Sequence, residues 1–225
     1  MAVAKKIETL VPRVKREVPS CPKQLVIDEL RNTIIDFCTN TDIYLSELTL
    51  FQTLTGINEY ETSDLDIPLG TELNHIIDVF YEHGQSDVQV SEKKLSRLEP
   101  SSLIGKPSLF DQYGKGKPRY YSQRNAEVIL VAPTPDKNYS LYVLYSLKPT
   151  STATTIPNII VNEYLETIVH GAIYRLQMMK DSPWTDYNAA TINKGMYDKG
   201  EAQAVRKSKY GRVGAPLTIR YQEFI

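Results

Sequence analysis

Ile156-Pro-Asn-Ile-Ile-Val-Asn-Glu-Tyr-Leu-Glu-Thr-Ile-Val-His-Gly-Ala-Ile-Tyr-Arg-Leu176, followed by Ser182-Pro-Trp-Thr-Asp186, decides the architecture of this chain. Val161, Tyr164, Leu165, Ile168, Ala172, Ile173, Leu176 and Met179 recur at the spacing of one buried helix face, while Glu163, Glu166 and Arg175 fall off it. A loop carrying the only tryptophan then leads into a polar, alanine-rich run from Asp186 to Lys207, so the stretch reads as a helical hairpin. A single large aromatic between two amphipathic helices is a natural packing anchor, and Trp184 is assigned that role. No catalytic constellation sits in the hairpin.

Toward the N-terminus, Ser20-Cys-Pro22 opens a second amphipathic helix. Proline at an initial position loses no needed N–H, and Asp28 and Glu29 lie toward the positive end of the helix. Ile27, Leu30, Ile34, Phe37 and Cys38 form its apolar face, to about Thr41. Residues 1–19 alternate charged and apolar side chains and read as an extended arm. Between Leu48 and Lys148 the period changes to two, giving strands at Leu48–Leu54, Ile76–Tyr81, Ala126–Val131 and Tyr139–Leu147. Between them the sequence predicts an acidic loop at Asn58–Asp66, a turn at His83-Gly84, a short helix at Ser91–Leu98 and a flexible basic loop at Tyr113–Pro118. Pro133 to Asn138 supplies the turn between the last two strands.

The expected class is therefore α+β: a small bundle of one N-terminal and two C-terminal helices, an inserted antiparallel β module whose ends lie close together, and extended termini. The corresponding divisions are 1–47 for the arm and first helix, 48–150 for the β module, 151–207 for the helical hairpin and 208–225 for a glycine-hinged tail. Leu217 to Ile225 could form one terminal strand.

Composition narrows the functional classes. The 225 residues are 41% hydrophobic with a mean hydropathy of -0.33. The longest apolar run, Val128–Ala132, is too short to span a bilayer, and Met1 to Glu8 shows no secretory apolar core. The reading is a protein made and kept in the cytosol, or in something assembled there. If the run from Cys21 to Cys38 is one continuous helix, its rise separates the two by about 25 Å, too far for a disulfide, so both are expected as free thiols. Charge is uneven: residues 28–99 hold fifteen acidic side chains against four basic ones, and residues 194–225 hold seven basic against three acidic. Such polarity suits an oriented assembly with two different neighbours, and a solvated surface produces it too.

His75, His83 and His170 share no ligand spacing, so neither a metal site nor a catalytic histidine is read from them. Gly114-Lys-Gly-Lys117 lacks the Gly-Lys-Ser/Thr ending of a phosphate-binding loop. Glu59, Glu61, Asp64 and Asp66 lack the alternating ligands and terminal glutamate of an EF-hand and read as a solvated acidic surface. No cofactor is called for. Among fifteen tyrosines, Tyr120 and Tyr121, near Arg119 and Arg124, are the candidates for an exposed aromatic and basic patch.

The order of these pieces resembles a known family. Val11-Pro-Arg-Val14, Val18-Pro-Ser-Cys-Pro22 and Asp28-Glu-Leu-Arg31, with a helix ending Ile35-Asp-Phe-Cys38, look like the start of tailed-phage head-to-tail adaptor proteins. Leu144-Tyr-Ser-Leu-Lys-Pro-Thr150, Ile156-Pro157, Gly171-Ala172, Arg175-Leu176, Pro183-Trp184 and Ala189 resemble that family's C-terminal hairpin, and the plan is similar to the tail tubular A proteins of short-tailed phages. The resemblance implies a structural virion protein: a ring, twelvefold by analogy, joining the portal to a tail or nozzle protein and surrounding double-stranded DNA without specific binding. In that setting Glu59, Glu61, Asp64 and Asp66 are candidates to face the channel. In the tail, Arg206, Lys207, Lys209 and Arg212 would meet acids on the portal, and Ile219, Tyr221 and Phe224 would supply apolar contacts. The rival readings are a virion-associated hydrolase of cell wall or nucleic acid, using carboxylates such as Glu163 and Glu166, and a carbohydrate-binding β module.

Overall fold

The computed structural model describes residues 5–81, 94–98, 114–124 and 127–210. The first helices are α1 (Val11–Val14), entered through a 3-10 turn at Ile7–Leu10, and α2 (Lys23–Thr41). Pro22, in an extended conformation, caps α2, and its carbonyl accepts from the Val26 N–H. The helix stops at Asp42, whose left-handed backbone (φ 49°) turns the chain out of the helical axis while its N–H still bonds Cys38. The expectation of an extended N-terminal arm is corrected here. Ile7, Leu10, Val11, Val14 and Val18 are all buried, and their spacing folds residues 7–14 into helical turns against the main helices. Among the described residues of the arm, β1 (Lys5–Lys6) is the strand, pairing with β11 (Thr155–Ile156).

The late hairpin follows β11. A π-helical turn (Ile160–Tyr164) runs into α3 (Leu165–Gln177), and α4 spans Tyr187–Tyr210. Ile168, Ala172, Ile173 and Leu176 of α3 are buried as the periodicity selects, Val169, Gly171 and Gln177 are buried beside them without being selected by it, and Val161, Leu165 and Met179 pack at the margin of the same core. The turn before α4 is built by Asp186, whose Oδ1 accepts the N–H groups of Asn188 and Ala189, an N-cap of the usual acidic kind. Helix α4 continues three residues past the expected end at Lys207, because Ser208 is buried on the same face as Ala190, Gly200 and Ala204. Residues 211–225, Arg212, Ile219, Tyr221 and Phe224 among them, lie outside the described residues.

Between the helices stand two facing sheets. One has the order β2 (Thr49–Gln52), β10 (Ser140–Pro149), β4 (Thr71–Tyr81), all antiparallel. The other has the order β3 (Glu59–Glu61), β8 (Val128–Ala132), β7 (Tyr120–Gln123), β5 (Ser96–Arg97), with β5 and β7 parallel. Phe51, Leu73, Ile76, Val79, Leu141, Val143 and Leu147 from the first meet Tyr60, Leu95, Tyr121, Ile129 and Val131 from the second. The short helix expected over Ser91–Leu98 is contradicted at Ser96–Arg97, which form a strand: Ser96 and Leu98 donate N–H bonds to Arg119 and Tyr121 across the parallel ladder. The basic loop expected at Tyr113–Pro118 contains strand β6 (Lys115–Gly116), paired in parallel with β9 (Thr134–Pro135). Within the acidic loop, Glu59–Glu61 are strand and Thr62–Asp64 a 3-10 turn. The turn at His83-Gly84 and position Ala126 fall outside the described residues.

Candidate functional site

The two cores meet at one joint, and it is built around Asp42. Its carboxylate Oδ1 accepts from Asn74 Nδ2 (2.8 Å) and Ser146 Oγ (2.6 Å) and lies 3.0 Å from His75 Nδ1. Asn74 also reaches the Thr39 carbonyl at 3.1 Å. The end of α2 is thus tied to the centre of the β10–β4 pair. Beside it the Leu147 N–H donates to Tyr44 O (2.7 Å) and the Ser46 N–H to Tyr145 O (2.9 Å), so the entry and exit strands of the β region lie hydrogen-bonded side by side. Tyr44 packs against both cores. Sequence reading did not single out Asp42; an Asn-Thr-Asp run after a helix face is its only trace, and that pattern is common to many helix ends.

The structure places His75 and His170 on separate elements, and His83 lies outside the described residues. His75 is engaged at the joint, while His170 on α3 pairs through Nδ1 with Asn193 Oδ1 at 2.8 Å, and Asn193 in turn donates to Gln177. Among the described residues no group of three or more His, Cys, Asp or Glu side chains is placed to hold a metal ion. Glu163 is bound to Lys207 and Glu166 to Arg13, so the two carboxylates of the hydrolase reading each face a cation. Cys21 and Cys38 are free and buried. Burial pushes the Cys38 thiol up to about 12, and burial also raises that of Cys21, with Lys15 opposing and Glu29 adding to the rise. Neither is a poised nucleophile.

Trp184 stands in the loop between α3 and α4, half-buried against the helical core, with its Nε1–H enclosed and without a hydrogen-bond partner among the described residues. Arg206, Lys207 and Lys209 project from the last turns of α4, all exposed. Glu59, Glu61, Asp64 and Asp66 are exposed as well, Glu59 lying 3.3 Å from Arg124 and Glu61 accepting from Ser63 Oγ.

The aromatic and basic patch is rearranged relative to its sequence expectation. Tyr121 is buried: it is 2% exposed, and its hydroxyl donates to Ile77 O at 2.8 Å, bonding one sheet to the other. Burial pushes that phenol up to about 12. Arg124 sits at the opposite side of the sheet, on Glu59. Arg119 and Tyr120 remain, and they line a concavity of about 410 Å³ together with Lys94, Ser96, Lys117 and Tyr81. Lys117 stands 4.2 Å over the Tyr81 ring, and Lys94 pairs with Asp78 at 2.5 Å. Only the fold brings Lys94 and Lys117 together; they are 23 positions apart in sequence.

Among the described residues no helix is long and apolar enough to cross a membrane. In comparison with known families, residues 6–220 match the family described as SU10 adaptor protein. That match covers both cores and does not extend to the finer likeness to the tail tubular A proteins. No curated protein matches the chain.

Proposed function

Because the chain belongs to the SU10 adaptor protein family, the phage head–tail adaptors, we propose that it forms a ring that joins the capsid portal to the tail and surrounds the DNA channel. The observation that carries this reading is the extent of the family match, from residue 6 in β1 to residue 220, ten residues beyond α4. The work is structural: the protein bridges two larger bodies in the virion, having been assembled in the host cytoplasm, and lets DNA pass during ejection.

The division of labour follows the two cores. Residues 1–47 and 151–207 supply a helical bundle as the ring-forming body, with Trp184 anchoring its hairpin, and residues 48–150 supply the inserted module. A plan like that of the tail tubular A proteins, and twelve copies, are the finer expectations. Of the acidic channel candidates Glu59, Glu61, Asp64 and Asp66, the last two, exposed beyond the end of β3, are kept on the channel side, where a negative wall repels phosphate and lets DNA slide; binding to duplex DNA should be weak and lost at modest salt. The last turns of α4 and the segment after them dock on the portal: Arg206 and Lys209 on the helix and Arg212 beyond it meet acids there, with Lys207 partly engaged by Glu163, and Ile219, Tyr221 and Phe224 fill apolar contacts by adding a strand to a sheet edge.

Truncation after Tyr210, which leaves α4 whole, tests the docking directly. The shortened protein should keep its fold and thermal transition yet fail to bind portal rings. A truncated protein that still completes the head-to-tail joint would overturn the docking role.

A further inference from the structure

The β region carries opposite charge on its two flanks. On one flank, strand β3 is the outer member of its sheet among the described residues, and Glu59 and Glu61 are exposed there, Glu59 with the exposed Arg124 3.3 Å away. Being two residues apart on a strand, they lie on the same face, about 7 Å from each other. On the other flank, residues 94–98 turn the corner between the sheets: Leu95 donates to Val79 of β4, while Ser96 donates to Arg119 beside β7. Leu95 is buried at this corner, and the side chains left outside are exposed Lys94, Arg97, Lys117 and Arg119. Arg97 and Arg119 form no ion pair among the described residues, and Asp78 is the one acid paired with this group. The corner is also concave, the cavity of about 410 Å³ being large enough for a carboxylate side chain and its neighbours.

These flanks cannot meet within one molecule. Three strand spacings of about 4.8 Å put the outer strands of the sheet roughly 14 Å apart, and the flanks face away from each other. They can meet only between copies. A contact between two different patches on identical chains is heterologous, and it closes into a ring when the rotation between copies is right. Exposed Leu54, whose backbone bonds the Tyr60 hydroxyl of β3 on the acidic flank, would add apolar area to such a contact.

We propose that the β3 flank of one copy docks on the basic corner of a second copy, Glu59 and Glu61 facing Arg97 and Arg119, with Lys94 and Lys117 at the margin. This rests on the ring reading above and assigns to the β module a share of the ring's subunit contacts.

The test is charge reversal with rescue, using the full chain, sedimentation velocity in free solution, and imaging on portal rings. E59K/E61K and R97E/R119E should each keep the wild-type circular dichroism and melting transition but associate on the order of a hundredfold more weakly than wild type, since like charges then face each other. An equimolar mixture of the two, or one chain carrying all four changes, should regain assembly. Wild-type rings that persist unchanged in both reversed variants overturn the flank contact and leave the adaptor reading standing. A wild-type chain that never assembles, alone or on portals, overturns the adaptor reading itself. Loss of DNA retention in R97E/R119E with assembly intact would instead make the basic corner a phosphate-binding surface and overturn the proposal.

Discussion

In the helical core, backbones approach closely where side chains are smallest, whereas the sandwich core is filled by large tyrosines. A Cβ on Gly171 would stand 2.5 Å from the Tyr197 ring and 2.6 Å from Thr33, so α3 meets both α2 and α4 at that glycine. Gly200, Ala190, Ala204 and Ser208 make the facing stripe on α4. In the sandwich, Tyr60, Tyr121 and Tyr145 occupy the space between sheets, and each carries its hydroxyl to a backbone carbonyl: Ile57 (2.6 Å), Ile77 (2.8 Å) and Asp66 (2.8 Å). Helices saturate their own backbone hydrogen bonds and need only shape at their contacts. Sheets this small and irregular leave loop carbonyls, and at the register shift in β10–β4 the strand carbonyl of Ile77, that a phenol can satisfy while its ring fills the core.

If the helical core depends on filled volume, Phe37→Ala should be the most damaging single change. Phe37 is fully buried, in ring contact with Tyr164 at 5.2 Å, and its loss should cost about 3–5 kcal/mol, read from urea unfolding. Gly171→Ala should cost about 1–3 kcal/mol by overpacking, although alanine is the better helix former. A neutral or stabilising outcome would mean that α3, α2 and α4 are not as close as described. Trp184→Ala, at a half-buried site, should cost about 2 kcal/mol; an unchanged thermal transition would remove its anchor role.

Tyr121→Phe probes the other side of the comparison. It keeps the ring and deletes the bond to Ile77, so the expected loss is about 1 kcal/mol. The two cores also share a dependence on pH. The Cys38 thiol moves from 9.0 to about 12 and the Tyr121 phenol from 10.0 to about 12, so the folded state favours both neutral forms. Their contribution is complete below about pH 9 and falls away as pH rises toward 12. Alkaline titration followed by circular dichroism should show unfolding in that window, and Cys38 should resist thiol reagents at pH 8 until denaturant is added.

The same contrast explains what could be read from the residues. The apolar faces of α2 and α3 were legible because large side chains repeat at helical spacing, and β10 was legible because its inward residues alternate. Helix α4 reads as a polar run, since its buried stripe of Ala190, Gly200, Ala204 and Ser208 carries almost no hydrophobic signal, and its end was accordingly placed at Lys207. Residues 7–14 looked like an extended arm because a four-residue 3-10 turn and a four-residue helix are too short to establish a period. Strand β5 has two residues and pairs in parallel with a segment more than twenty positions away, a contact no local pattern encodes. The acidic surface was visible as composition; its opposite, the basic corner, exists only once Lys94 and Arg97 are folded beside Lys117 and Arg119.

Imaging of the purified full-length protein together with its phage's portal rings tests the adaptor role most directly. Closed rings of this chain seated coaxially on the portal, leaving a central opening wide enough for duplex DNA, are the expected result. A protein that remains monomeric and unbound at concentrations where portals and tails otherwise join would contradict it.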